Sequence, residues 1–175
     1  TKAKFGNWWP LFLPFIESSK YDDIFTNLKM QVEARRIIIP KAPDLFKSFE
    51  LTDRNKLKAI VVLMDPYPSF TKDGNMIANG VPMSCATTGV LQPSLELWYG
   101  GIENSYLGFD PDMDMRPDNS YLLKEEHVML LNSSLSVEKD KVGSHKALWT
   151  PFMRFFFEDV INKYFKGLPI VLCGE

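Results

Sequence analysis

The chain has 175 residues, of which 45% are hydrophobic and 13% aromatic, so it can bury a substantial core in one domain. Its net charge of −2 excludes a general nucleic-acid coat, which would be basic, so any contact with nucleic acid must be local. No apolar run approaches the roughly 18 residues of a membrane span, and the N-terminus is too aromatic and too broken by prolines for a signal peptide.

These features favour an intracellular protein without a membrane partner, in the cytoplasm or, for a eukaryotic or viral protein, in the nucleus. The chain starts at Thr1 without a Met and stops at Glu175, where a strand would hand over to a loop. We therefore expect residues 1–175 to form a single α/β domain that lacks its C-terminal part.

Periodicity and composition predict the elements of the first half of the chain. Apolar residues at helical spacing predict an amphipathic helix over residues 21–36, and a short helix is predicted over residues 44–50. Residues 58–65 predict a strand, and their apolar run has no polar alternation, which is typical of a strand buried on both faces of a parallel sheet. Residues 69–80 are small and polar and predict a loop, and residues 81–85 are a short strand candidate.

A proline marks the next predicted helix. Pro93 fits a first-turn position, and Leu95, Trp98 and Tyr99 share one face of the helix that follows. Residues 103–120 are acidic and contain two prolines, which predicts a long loop.

The last third of the chain repeats the strand–helix–strand pattern. Residues 127–135 predict a second buried strand, residues 147–165 an amphipathic helix ended by Gly167, and residues 169–173 a last strand. Strands that alternate with helices are typical of an α/β domain. We predict a central parallel four-stranded sheet with helices on both faces.

The cysteines and histidines do not suggest a metal site. Cys85 and Cys173 have neither metal-ligand spacing nor a disulfide framework, and two histidines are too few for a histidine-based site. Cys173 lies in an apolar run, so we expect a buried thiol.

Asp110, Asp112 and Asp114 imitate the start of a calcium-binding loop. Met115 and Tyr121 occupy the positions where such a loop needs Gly and Glu. This departure predicts a solvated acidic loop, and we expect neither a metal nor a cofactor.

Two polar residues stand where the buried strands end. Asp65 follows the first apolar run and is flanked by Pro66, Tyr67 and Pro68, while Asn132 lies within the second run. Ligands of open parallel sheets gather at the carboxyl ends of the strands. The sequence therefore predicts that the carboxylate and the amide lie together in one pocket.

Several segments, in order, resemble the uracil-DNA glycosylase family. The family's motifs include a Gln-Asp-Pro-Tyr-His segment, a Gly-Leu-X-Phe-Ser segment, a Pro-Ser-Leu loop, a Leu-Leu-Asn strand and a Ser-His-Lys loop. The corresponding segments here are MDPYP (64–68), ANGVPMS (78–84), QPSL (92–95), MLLNSSLSV (129–137) and GSHKALW (143–149). Each segment alone is a weak signal, but their order and spacing together are specific.

The resemblance implies hydrolysis of the bond between uracil and deoxyribose, on a base flipped out of the stack. It implies that Asp65 is the catalytic carboxylate, which stabilises positive charge on the sugar and orients a water. Asn132 would read the paired edge of uracil, because an amide both donates and accepts. The alternative role for Asp65 is a carboxylate that stabilises a turn, and the alternative role for Asn132 is an amide that hydrogen-bonds the backbone at a strand end.

The resemblance assigns the remaining substrate contacts to neighbours of these two residues. Met64 and Met83 would bind the substrate in place of the family's Gln and Phe, and Tyr67 would exclude the methyl group of thymine. Ser94, Pro93 and Ser144 would contact DNA. The alternative role for Tyr67 is that of a core aromatic residue, and the alternative role for Ser94 is that of a serine in the first turn of a helix.

Ser144, His145 and Lys146 superficially suggest a nucleophile and its base. Adjacent Ser and His side chains do not easily face one another, and no Asp is evidently placed to orient the ring. We therefore expect this loop to brace the edge of the active site.

The departures from the family leave a second function open. Met64, Pro68 and Met83 replace the family's Gln, His and Phe, and the chain ends before the family's His-Pro-Ser loop. The alternative is therefore a weak or inactive glycosylase-like protein that acts as a DNA-binding or replication scaffold. An unrelated nucleotide-binding domain is disfavoured because no Gly-rich phosphate cradle is present. The expected partners are uracil-containing DNA, free uracil as product, and a protein inhibitor or replication partner, with the protein itself a monomer.

Overall fold

The computed structural model describes residues 2–105 and 115–173. The strands are β1 (Ile38–Ile39), β2 (Ala59–Leu63), β3 (Val128–Asn132), β4 (Val137–Glu138) and β5 (Ile170–Leu172). The helices are α1 (Trp9–Ile16), α2 (Ser19–Glu33), α3 (Lys47–Leu51), α4 (Pro93–Ser105), α5 (Ser120–Lys124), α6 (Lys146–Arg154) and α7 (Asn162–Tyr164). Short 3-10 helices cover Lys2–Trp8 and Ala42–Asp44, and a π-helical stretch, Phe155–Ile161, joins α6 to α7.

Three parallel strands form the central sheet, in the order β3-β2-β5. β1 and β4 form a separate antiparallel pair. Most of the predicted elements are confirmed within a few residues of their expected ends. Among the described residues the central sheet has three strands, so the predicted four-stranded sheet is not confirmed.

Side chains of the sheet alternate between two apolar clusters, because successive residues of a strand point to opposite faces. On one face Ile60, Val62, Met129 and Leu131 join a large aromatic cluster that includes Trp8, Phe12, Phe49, Phe152 and Phe156. On the other face Val61 and Leu130 pack with Val81 and Leu123. The prediction of a sheet buried on both faces is therefore correct for β2 and β3.

The strand candidate at residues 81–85 is wrong, because this segment forms turns. Met83 adopts a left-handed backbone with φ of 55°, which a strand does not contain. Gly80, with φ of 89°, brings the segment against the backbone of Asp44, where an added Cβ would lie 2.2 Å from the carbonyl oxygen.

Helix α5 begins at Ser120, the last residue of the region predicted as a long loop. One further expectation fails. Cys173 is exposed rather than buried, because it follows β5, an edge strand whose Ile170, Val171 and Leu172 are 40–75% exposed. The predicted acidic loop around Asp110, Asp112 and Asp114 lies outside the described residues.

In residues 2–105 and 115–173, every helix is too short or too polar to cross a bilayer.

Candidate active site

The carboxyl ends of β2 and β3 are tied together by hydrogen bonds beyond the strands themselves. The Ser133 N–H donates to the Leu63 carbonyl at 2.7 Å, and the Ser134 N–H donates to the Met64 carbonyl at 3.1 Å. The Ser133 hydroxyl also donates to the Met64 carbonyl, at 3.0 Å. These bonds fix the backbone from which the segment 64–68 leaves the sheet.

A cavity of about 250 Å³ opens beside this segment. Five of the eight residues predicted to form the site line it: Met64, Asp65, Tyr67, Met83 and Ser94. The remaining lining residues are Leu63, Pro66, Pro68, Val142 and Cys173. Residues far apart in sequence therefore meet around one small and mostly apolar space.

Four larger cavities, of about 560, 620, 390 and 300 Å³, lie elsewhere on the described part of the protein. None of them is lined by a predicted site residue. We therefore assign the candidate site to the smaller cavity, where the polar groups converge.

Asp65 is half-buried in the wall of the cavity. Its Oδ2 accepts a hydrogen bond from the backbone N–H of Gly143, which lies on the loop between β4 and α6. This bond restricts how the carboxylate can turn. A fixed carboxylate in a mostly apolar cavity can stabilise a developing positive charge or orient a water molecule.

Tyr67 spans the space between the cavity and the core. Its ring packs against apolar residues that include Ala78 and Leu95, and its hydroxyl lies 2.8 Å from Ser94 Oγ. Burial raises the pKa of Tyr67 to about 12, against a smaller opposing effect of the Ser94 hydrogen bond. The phenol is therefore neutral near pH 7 and forms a fixed wall of the cavity.

Asn132 does not line the cavity, although it lies beside it. It pairs with Leu63, a lining residue, across the parallel strands β2 and β3. The side chain is only 7% exposed, and its Oδ1 has no hydrogen-bond partner among the described residues. A buried amide oxygen without a donor is costly, and a donor on a ligand would offset that cost.

Pro93 and Ser144 also lie outside the lining of the cavity. Pro93 is exposed and begins α4, next to Ser94. Ser144 Oγ accepts a hydrogen bond from the Glu138 N–H at 2.9 Å, and the His145 ring contacts Gln31 and Ser136 instead of Ser144. The sequence-based argument against a Ser–His nucleophile pair agrees with this geometry.

Several residues of the site, including Val142, Gly143 and Cys173, had no role in the sequence-based prediction. Val142 and Cys173 line the cavity, and Gly143 donates to the catalytic candidate Asp65. Gly143 lies in a segment that carries the family resemblance, so its neighbourhood was visible in the sequence. Cys173 ends the predicted last strand, whereas Val142 has no such signal, because only the folded chain brings it to the cavity.

Metal-binding geometry is absent from the part of the chain that the structure describes. Residues 2–105 and 115–173 contain no group of three or more His, Cys, Asp or Glu side chains that could hold a metal ion.

Comparison with curated proteins gives consistent relatives over nearly the whole chain. Uracil-DNA glycosylase 1 of Listeria monocytogenes is 32% identical over 170 residues, which cover 95% of this chain and 66% of the relative. Uracil-DNA glycosylase 1 of Listeria innocua is 34% identical and is covered over 70% of its length. The uracil-DNA glycosylase of Mycoplasmopsis pulmonis is 31% identical, with 72% of its length covered. The chain thus spans about two thirds of the length of these relatives.

Solved structures share the fold. The crystal structure of mimivirus uracil-DNA glycosylase superposes with a TM-score of 0.78 at 20% identity, covering 90% of this chain and 56% of that one. The enzyme of Nitratifractor salsuginis superposes with a TM-score of 0.57 at 18% identity, covering 98% of this chain and 84% of that one. No family model matches the chain. The identity to the bacterial relatives, over most of both sequences, establishes that this chain belongs to the uracil-DNA glycosylase family.

Proposed function

We propose that the protein is a uracil-DNA glycosylase, which hydrolyses the N-glycosidic bond of a flipped-out uracil in DNA and so begins base-excision repair. The observation that carries this proposal is the Asp65 carboxylate, which lines the cavity at the end of β2 and is held by the Gly143 N–H. Membership of the family supports the type of reaction, and the cavity that Asp65 lines is its proposed location.

The size of the cavity suits a base better than a whole nucleotide. At about 250 Å³ it lies below the roughly 300–1,000 Å³ of pockets for drug-sized ligands. A base that enters it must leave the duplex stack, which is how enzymes that act on bases reach their target atoms. Tyr67 would stand against the position of a thymine methyl group, and Met83 would pack its thioether on the base.

In the proposed reaction the glycosidic bond breaks and leaves positive charge on the sugar and negative charge on uracil. Asp65 stabilises the sugar cation and orients a water, whose oxygen bonds to the sugar carbon while its proton passes to solvent, and the uracil anion takes up a proton from solvent. Uracil offers one donor and one acceptor on its paired edge, and Asn132 has the complementary groups. Cytosine presents the opposite pattern, so the same amide would reject it.

DNA contacts are assigned to Ser94, which lines the cavity, and to Pro93 and Ser144, which lie outside its lining. Ser94 is exposed at the start of α4, as a contact to phosphate requires. The proposed function also gives the proposed partners, which are uracil-containing DNA as substrate, free uracil as product, and a protein inhibitor. A variant of the mimivirus enzyme has been solved in complex with UGI, which supports the last of these by analogy.

Three finer features also remain proposals: a monomeric state, an intracellular location and a fourth strand in the central sheet. The edge position of β5 supports the fourth strand, because an edge strand offers backbone N–H and C=O groups with which a further strand can pair.

The test is release of uracil from a single-stranded oligonucleotide with one deoxyuridine, using the full-length protein. We expect wild-type protein to release uracil, and Asp65→Asn to lower the rate by about 10²–10⁴-fold while DNA binding is retained. Asp73→Asn, which changes an exposed carboxylate outside the cavity, is the matched control and should keep the wild-type rate. DNA binding by wild-type protein without uracil release would contradict the proposal.

A further inference from the structure

A loop over residues 140–145 touches the segment 64–68 at two points. The Asp140 N–H donates to the Pro68 carbonyl at 3.0 Å, and the Gly143 N–H donates to the Asp65 carboxylate. Both ends of the short segment that carries Asp65 are therefore held by the same loop. The orientation of the carboxylate depends on where this loop is placed.

Short-range hydrogen bonds shape the loop and tie it to the end of β4, where Ser144 Oγ also accepts from the Glu138 N–H. The Lys141 N–H donates to the Glu138 carbonyl, and the Ser144 N–H donates to the Lys141 carbonyl, at 3.0 and 3.2 Å. Residues 141–144 are all exposed. The attachment to the core comes from the next residue, His145, which is only 2% exposed.

The His145 ring bridges two distant parts of the chain. Its Nδ1 lies 2.8 Å from Ser136 Oγ, and its Nε2 lies 3.0 Å from Oε1 of Gln31 on α2. Ser136 Oγ also receives the indole N–H of Trp149 at 2.7 Å. Gln31 in turn donates from Nε2 to Asn27 Oδ1 at 2.7 Å.

The direction of the bonds follows from the Gln31 end. Gln31 donates from its Nε2 to Asn27, so its Oε1 faces the ring and accepts a hydrogen bond from a protonated His145 Nε2. A neutral ring then has a bare Nδ1, which accepts from the Ser136 hydroxyl, while Ser136 Oγ accepts from the Trp149 indole N–H. Burial lowers the pKa of His145, the dominant effect over the nearby carboxylates, and this keeps the ring neutral, with one bare nitrogen.

We propose that Gln31 and His145 are positioning residues for Asp65: the hydrogen-bonded chain Trp149–Ser136–His145–Gln31 anchors the loop that presents the Gly143 N–H to the carboxylate. This inference rests on the proposed catalytic role of Asp65. Neither residue lines the cavity, so both act through the loop and not on the substrate.

The first experiment measures the stability of the loop and does not depend on catalytic activity. The variant is Gln31→Ala, which removes the acceptor at the outer end of the chain and keeps a good helix former in α2. Amide hydrogen exchange of Gly143, followed by NMR in the full-length protein, should become at least about tenfold faster. Met30→Ala, an exposed neighbour on the same helix, should leave that rate unchanged. Unchanged protection of the Gly143 amide in Gln31→Ala would overturn the proposal, even if the wild-type protein released no uracil.

The kinetic arm is a double-mutant cycle with Asp65. Gln31→Ala should lower kcat roughly tenfold or more with little change in KM for DNA, because the carboxylate is displaced and the DNA contacts are not. In the Asp65→Asn background the same change should have almost no effect, since no carboxylate remains to position. An equal loss in both backgrounds would show that Gln31 acts on stability alone and would contradict the inference.

The proton assignment has its own readout. Imidazole 15N shifts of His145 at pH 7.5 should show a protonated Nε2 and a bare Nδ1, and the opposite tautomer would exclude the proposed direction of the bonds. A urea denaturation curve shows whether full-length Gln31→Ala is folded. If it is not, His145→Leu, which removes both hydrogen bonds of the ring, takes its place in both experiments with the same expected outcomes.

Discussion

Asn132 is a predicted site residue with a buried polar atom that has no hydrogen-bond partner among the described residues. Its Oδ1 is buried and lacks a donor among the described residues, which costs about 1–3 kcal/mol for a typical amide group. The N–H of a bound pyrimidine would remove that deficit. The sequence predicted Asn132 as a site residue but not its unpaired oxygen, because the absence of a donor depends on the packing around the end of β3.

Asn132→Asp tests whether the amide selects the base. The variant no longer offers the same donor and acceptor pair, so we expect the ratio of uracil to cytosine release to fall by roughly 10-fold or more. The measurement is the single-turnover rate on oligonucleotides that differ only in the target base. Asn75→Asp, an exposed loop substitution, should preserve the wild-type ratio. If the ratio is the same in Asn132→Asp and wild type, Asn132 does not read the base.

At the scale of elements, the segment 77–84 shows how a turn replaces a predicted strand. Apolar residues at 81–85 resemble a short strand, but Gly80 packs directly on the backbone of Asp44 and turns the chain there. Met83 reaches the cavity from this turn with a left-handed backbone. Strand propensity is a weak guide for so short a run, because the contact with a distant 3-10 helix decides its shape.

Gly80→Ala should destabilise the protein strongly. A Cβ at this position would lie 2.2 Å from the Asp44 carbonyl oxygen and would also sit on a backbone with φ of 89°. Gly89→Ala is the matched control, because Gly89 also has a positive φ, of 66°, and has open space around it. We expect the control to lose about 1–2 kcal/mol of unfolding free energy in urea denaturation and Gly80→Ala to lose clearly more. Equal losses would mean that the contact with Asp44 has no energetic role.

At the scale of the whole molecule, His145 links global stability to pH. Its ring joins α2 to the loop before α6. The charges of Glu138 and Asp65 raise the pKa of His145, and the charge of Arg36 lowers it. Burial has the largest effect and lowers the pKa of His145 below the ordinary histidine value of about 6.5. Between these two pKa values the unfolded chain binds more protons than the folded one, so stability rises with pH.

Wild-type protein should therefore be most stable above about pH 6.5 and should lose stability as the pH falls from there through the lowered pKa of His145. The measurement is the urea midpoint between pH 7.5 and 5.5. His145→Asn should be less stable throughout but should show a flatter dependence in this window. The lowered pKa of Glu138, due mainly to its hydrogen bond with Lys141, acts only in a more acidic range. A slope that is as steep in His145→Asn as in wild type would assign the pH dependence to other groups.

The sequence by itself determined the family, the α/β pattern, the two buried strands and the residues at their ends. Those features are local, since an apolar run without polar alternation identifies β2 and β3, and the motif order identifies Asp65, Tyr67 and Asn132. The tertiary structure alone decided which of them share a cavity, that Cys173 is exposed after an edge strand, and that Gly143 holds the carboxylate. Tertiary contacts join residues far apart in sequence, such as Gln31 and His145, which are 114 positions apart. Periodicity cannot encode them, because they depend on how loops close around the sheet.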